Sequence, residues 1–524
     1  MKRKIYLILT VLLATVMLFM LASCNAKNLG SAPKDEGNIG NNSNKPTYPN
    51  YGDMNNEAVE DAAPSAPDEE IKDSVTNPFV ENPFVSTEKN NVSTLSADVD
   101  TASYTYFRKL VNSGYSWQEL SRFSSNFRTE EFLNYFKYTA EQPGENELFS
   151  VNPVLLPCPW NENNVLLSMT LQAANATPTE GNNLVFLIDV SGSMMSSDKL
   201  PLLKKAFSHL TDQLGENDII SIVTYSGKEA VVLDGCSGNK KETILSAINS
   251  LVASGSTNGE AGLQKAYQIA EKHRIEGGNN RIIMASDGDL NVGITSESAL
   301  KQYIAEKRDA GIFLSVLGFG TGNYRDEKME TLADNGNGVY LYVDGEAEAE
   351  KIFSADLLAN LYTVAKDVKM QLTFDKNYVS SFRLIGYENR ILNEEDFTDD
   401  TKDAGEVGAG HQITVCYELT LTEGAKTDGA NWLELAVNYK LPQDTASVFP
   451  NLYNIGYADY VTTPDADRAF MIAVIETCML LHNSDYLPKG FDLDNIIHSL
   501  NAIDLSNYPE RAEFRELLKK LNTK

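Results

Sequence analysis

Residues 184–194 read Leu-Val-Phe-Leu-Ile-Asp-Val-Ser-Gly-Ser-Met, five apolar residues followed by a carboxylate and a turn of small, hydroxyl-bearing residues. An unbroken apolar run of this length, with no polar residue at alternate positions, is the pattern of a strand buried on both faces. Working outward, comparable runs recur at 219–225, 230–233, 281–286, 312–319 and 339–342. Helical stretches separate most of them. The clearest spans 198–214, where Leu203, Ala206, Phe207, Leu210 and Leu214 fall at helical spacing and form one apolar face. Only a few turn residues around Gly227 separate the second and third runs, which predicts an antiparallel hairpin there. The remainder predicts an α/β fold with a doubly wound, mostly parallel sheet, whose ligand sites lie at the carboxyl ends of strands.

Three segments fall at that edge. Asp189-Val190-Ser191-Gly192-Ser193 ends the first strand, Gly255-Ser256-Thr257-Asn258 precedes a helix starting near Gly259, and Ser286-Asp287-Gly288-Asp289 ends another strand. Asp and Ser before a helix are ordinary capping residues, so the first segment alone says little. Together they converge Asp189, Ser191, Ser193, Thr257 and Asp287 on one place, and hard oxygens in tight loops suit Mg²⁺, with Mn²⁺ or Ca²⁺ as alternatives. Asp289 fits turn formation with Gly288 better than ligation. The five residues resemble, residue for residue, the metal-ion-dependent adhesion site of von Willebrand factor type A (vWA) domains. That resemblance implies that Asp189, Ser191 and Ser193 begin the site. Thr257 would ligate directly or through water, and Asp287 mostly through water. It also implies one coordination position open to a partner protein's Asp or Glu carboxylate, which an under-neutralised cation prefers to water.

The rest of the chain frames this unit. Lys2, Arg3 and Lys4 precede an apolar run over 5–20 that ends in Leu21-Ala22-Ser23-Cys24, a lipobox-like ending. Residues 1–23 therefore read as a lipoprotein signal peptide, with Cys24 carrying the lipid that anchors the chain to the cell envelope. An uncleaved membrane span is the alternative, and either way the body lies outside the cytoplasm. Residues 24–76, rich in Asn, Pro, Gly, Asp and Glu, read as a disordered leash. A doubled Asn-Pro-Phe-Val at 77–80 and 82–85 marks the return of apolar residues and reads as packing onto the next domain. The chain then divides into an N-terminal flanking domain at 77–178, the vWA domain at 179–362 and a C-terminal β-plus-helix domain at 363–524. Alternating runs at 151–156 and 165–171 match others at 369–374, 382–387, 412–420 and 432–441, so the two flanks are expected to share sheets.

Glu81-Asn-Pro-Phe84, Asp98-Val-Asp-Thr-Ala-Ser-Tyr104, Glu130-Glu-Phe-Leu-Asn-Tyr-Phe136 and Cys158-Pro-Trp-Asn161 are similar to the N-terminal region of a bacterial family of vWA lipoproteins. Arg383-Leu-Ile-Gly-Tyr-Glu-Asn-Arg390, Asp403-Ala-Gly-Glu-Val-Gly-Ala-Gly-His411 and Tyr439-Lys-Leu-Pro442 are similar to its C-terminal domain.

Composition narrows the functions. Lys and Arg number 44 against 73 Asp and Glu, a formal charge of -29, which repels nucleic acid phosphates. Four cysteines beyond Cys24 are too few and too scattered for a disulfide framework, and without a Cys/His cluster any metal must be held by oxygen. No GxSxG elbow, Walker loop or HExxH occurs. Asp98-Val-Asp100-Thr101 lacks the hydroxyl a phosphatase nucleophile motif places one residue later. Asp287-Gly-Asp289 lacks the glycine and glutamate of a calcium loop. A non-enzymatic, metal-dependent binder of a protein partner is the leading expectation. An envelope scaffold with a structural metal and an unrecognised metal-assisted hydrolase remain as alternatives.

Overall fold

The computed structural model describes residues 79–523 apart from 177–179, 257–258, 289–296, 321–325, 354–361, 443, 445 and 449. Four strands come first: β1 (Val85–Ser86), β2 (Val92–Ser96), β3 (Phe149–Pro157) and β4 (Asn164–Ala173). Six follow in the α/β unit: β5 (Asn182–Asp189), β6 (Ile219–Tyr225), β7 (Glu229–Ser237), β8 (Asn279–Ser286), β9 (Phe313–Phe319) and β10 (Tyr340–Val343). The last group is β11 (Thr363–Phe374), β12 (Val379–Ile385), β13 (Ile391–Leu392), β14 (Gly405–Gly408), β15 (Gln412–Leu421), β16 (Asn431–Lys440) and β17 (Asn451–Gly456).

The central sheet has the order β10-β9-β8-β5-β6-β7. All its pairs are parallel except β6 with β7, the hairpin expected around Gly227. Every residue of β5 is buried because helices cover both faces. On one side the helix Leu200–Gln213 stacks Phe207 against Phe186, ring centroids 4.3 Å apart. On the other, Leu263, Ala266 and Tyr267 of the helix Gly259–Lys272 join Val185, Leu187, Val223 and Tyr225 in one core. Gly262 allows this approach: a Cβ there would lie 2.6 Å from that of Tyr225 and 3.2 Å from Leu187 Cδ1.

Both flanks feed the other two sheets, of order β1-β12-β15-β4-β3 and β13-β2-β11-β16-β17, with β14 paired to β11. Each contains strands from both before and after the α/β unit, and Leu167, Leu372, Val415 and Trp432 lie in the core between them. The strand expected over 382–387 stops at Ile385, because Gly386 and Tyr387 take φ of +76° and +61° and turn the chain. β2 escaped notice: Val-Ser-Thr-Leu-Ser is short and half polar, and it is a strand because β11 pairs along it. The repeated phenylalanines pack, but against the C-terminal segment rather than the domain that follows them. Phe79 stacks on His482 at 3.6 Å, and Phe84 meets the edge of Tyr486 at 5.6 Å.

Helices Ala466–Leu481, Leu493–Asn501 and Pro509–Asn522 pack with Ala102–Asn112 and Thr129–Tyr135. No helix among the described residues is long and apolar enough to cross a membrane. The segments read as signal peptide and leash, and Cys24 with them, lie outside the described residues.

Candidate metal centre

Pairing of β5 with β8 decides where the carboxylates meet. Ile188 sits opposite Ala285, so both strands end together and deliver Asp189 beside Ser286 and Asp287. Beyond Asp189 the chain turns tightly. Its Oδ1 accepts from the Ser191 N–H at 2.8 Å, and the Ser191 and Ser193 hydroxyls lie 2.9 Å apart. Asp189, Ser191 and Asp287 are buried while Ser193 is exposed, so the cluster opens to solvent on one side.

The third segment is stitched to the first. Ser254 N–H donates to Val190 O at 2.7 Å, and Gly192 N–H donates to Gly255 O at 3.0 Å. Gly255 has φ +84°, a conformation glycine adopts without strain. Thr257 itself lies outside the described residues. Four of the five expected residues are therefore placed, and they share one sheet edge.

The electrostatics are unbalanced. Asp189 Oδ2 is buried with no hydrogen-bond partner. Burial lifts the Asp189 pKa to about 6, the Asp287 charge adds to this, and the bonds from Ser191 pull the other way. The Tyr225 hydroxyl, also buried, sits beside Asp189 and Ser286 without an aligned hydrogen bond. An orphaned carboxylate oxygen beside two hydroxyls is a donor set that fits a hard divalent cation.

One participant was not foreseen. Lys199 Nζ lies 2.8 Å from Asp287 Oδ2, with the lysine side chain only 13% exposed. Its route requires Gly320, where φ is +75° and a Cβ would lie 2.3 Å from Lys199 Cε. A lone lysine at a helix start gives no local signal of this; the contact exists only because β9 ends beside β8.

Comparison with known proteins agrees with this geometry. A family model described as von Willebrand factor type A domain matches residues 183–355, and one described as von Willebrand factor matches 71–168. A third, described as the C-terminal part of uncharacterized protein YfbK, matches 359–523. Uncharacterized protein YfbK of Escherichia coli K12 is 38% identical over 436 residues, 78% of this chain and 74% of its own. The chain belongs to the YfbK family of vWA proteins.

Beyond this family, human inter-alpha-trypsin inhibitor heavy chain H3 is 27% identical over 187 residues, 34% of the present chain but only 21% of that protein. Among solved structures, a von Willebrand factor type A protein from Catenulispora acidiphila aligns over 65% of this chain and 80% of its own, at 16% identity and a TM-score of 0.40. Domains of the vWA type generally mediate protein interactions and commonly bind a divalent metal.

Proposed function

We propose that this YfbK-family protein is a lipid-anchored envelope protein that captures a protein partner through a divalent ion, Mg²⁺ in the first instance. Asp189, Ser191, Ser193, Thr257 and Asp287 would hold the ion, and an Asp or Glu of the partner would complete its coordination. The observation that carries this reading is Asp189, a buried carboxylate with one oxygen lacking an aligned hydrogen bond, in the same turn as the paired Ser191 and Ser193 hydroxyls. In water such an oxygen would be solvated; buried, it costs stability unless a cation answers it. The bound ion supplies a Lewis-acidic point of attachment for an anionic group.

The surroundings support a docking face. Met195, 68% exposed, ends the Asp189 turn, and Val252, 72% exposed, lies just before Ser254, whose N–H joins that turn. Exposed apolar side chains beside a charged anchor are the composition of a binding surface. Neither the 189–193 nor the 286–288 segment contains a histidine to act as base for Ser191, which supports a binding role over hydrolysis. Location outside the cytoplasm, on a lipid at Cys24, rests on the signal-like segment at 1–24.

The test is capture from an envelope extract by immobilised chain, with Mg²⁺ or with chelator, alongside Asp189→Asn. Metal-dependent capture that the variant loses, with the fold retained, is the expected result. Equal capture by both proteins, or capture that chelation leaves unchanged, refutes the proposal.

A further inference from the structure

Away from the Asp189 turn, the α/β unit meets the flanking sheets across a cavity of about 210 Å³. Asp98, Asp100, Asp334, Asp403 and Glu406 line it, answered on its wall by one guanidinium, Arg390. Arg390 reaches Asp98 at 3.3 Å, Asp334 at 3.0 Å, Asp100 at 3.7 Å and, beyond the lining, Glu330 at 3.1 Å, so one positive charge is already shared among four carboxylates. The family-like stretches at 98–104, 383–390 and 403–411 supply all of these residues except Asp334, and the vWA-type site uses none of them.

At one end of the cavity, carboxylate oxygens of Asp367, Asp403 and Glu406 lie within 4.8 Å of one another. Asp367 is presented by a bulge in β11, between two register shifts, and takes φ +54°, unusual for a residue with a side chain. Two of the three are answered. Asp367 Oδ2 accepts from Lys440 Nζ at 2.6 Å and its Oδ1 from the Ala404 N–H at 3.1 Å, and Arg308 pairs with Asp403. The third is not: Glu406 is 9% exposed, and its Oε1 is fully enclosed with no hydrogen-bond partner. Burial and the neighbouring Asp403 and Asp367 charges raise its pKa well above the usual range, and burial lifts that of Asp403 to about 6.

We propose that Asp367, Asp403 and Glu406 form a calcium site at this junction, separate from the Asp189 centre. Ca²⁺ accepts carboxylate oxygens in flexible, irregular geometry, whereas Mg²⁺ demands near-octahedral coordination. The three oxygens come from a bulge, a loop and a short strand, and the cavity leaves room for water ligands, which suits the irregular, water-completed coordination of calcium. The ion would supply the charge that Glu406 lacks. It would also tie the 403–408 segment, which Arg308 joins to the α/β unit, to β11.

The experiment is calcium titration calorimetry with thermal melting near pH 8 in the Asp189→Asn background, where the vWA-type centre is disabled. One Ca²⁺ per chain is expected, with a Kd of about 0.1 to 1 mM and a rise in melting temperature. Glu406→Gln, nearly isosteric, is expected to weaken binding at least about tenfold and abolish the rise. Asp403→Asn, at a side chain about half exposed, carries the same expectation should Glu406→Gln fail to fold. No binding up to about 10 mM Ca²⁺, or affinity unchanged in whichever of these variants folds, overturns the proposal. Retained calcium binding in Asp189→Asn beside lost partner capture separates this site from the proposed adhesion function.

Discussion

Replacing Asp189 with Asn should stabilise the protein when no metal is bound. Asp189 is fully buried, its Oδ2 has no partner, and its carboxyl titrates at about 6 rather than at an ordinary 3.8. The folded state thus holds the Asp189 proton more tightly than the unfolded chain does. The metal-free fold is unpenalised below about pH 4, loses stability as pH rises from 3.8 to about 6, and carries a constant penalty above that. At 1.36 kcal/mol per pH unit the loss is up to about 3 kcal/mol. Asn keeps the acceptor for the Ser191 N–H and offers an amide toward the Tyr225 hydroxyl, while removing the buried charge. Urea unfolding of metal-free protein at about pH 4.5, 6 and 8 reads the effect directly. The variant should exceed wild type by only about 1 kcal/mol at the lowest pH and by up to about 3 kcal/mol at the highest. Mg²⁺ at 100 times its Kd should then raise wild type by about 2.7 kcal/mol and the variant not at all. A variant that is no more stable at pH 8, or a difference that does not grow with pH, refutes the claim that Asp189 is strained by its missing cation.

Three further changes probe the supports of this centre. Arg108 binds Asp344 through two part-buried bonds of 2.6 and 2.7 Å, and through buried bonds Glu348 at 2.6 Å and the Tyr135 hydroxyl at 2.8 Å. Arg108→Met strands two buried carboxylates and should cost about 3–5 kcal/mol in denaturant unfolding; a loss under about 1 kcal/mol would show that water reaches them. Lys199→Met removes the ammonium from Asp287 and should tighten Mg²⁺ about tenfold by calorimetry, since a like charge beside the ion is lost; weaker binding would mean that Lys199 instead holds Asp287 in place for the ion. Gly262→Ala places a methyl 2.6 Å from Tyr225 Cβ and should cost about 1–3 kcal/mol while loosening metal binding, because Tyr225 adjoins Asp189; an unchanged metal affinity would separate the packing from the site.

What the sequence disclosed here, and what it hid, follow from the range of the interactions. β5 was legible because burial on both faces leaves an unbroken apolar run, and the turn after it was legible because its hydroxyls and carboxylate are consecutive. The pairing of β2 with β11, and the sharing of both sheets by the two flanks, could only be suspected from alternation, since strand partners lie on either side of a whole inserted unit. The roles of Lys199 and Glu406 were invisible for a deeper reason. Lys199 belongs to no local pattern, Glu406 stands only inside the family-like stretch at 403–411, and each matters through what surrounds its charged group: Gly320 and Asp287 for one, Asp367 and Asp403 for the other. The motif at 189–193 names the donors but not the competition for them. Whether a divalent ion or the Lys199 ammonium answers Asp287 depends on how β9 ends beside β8. The affinity of the centre is therefore a property of the sheet edge as a whole, and metal dependence should respond to changes at Gly320 or Gly262 as well as to changes among the five ligand-type residues.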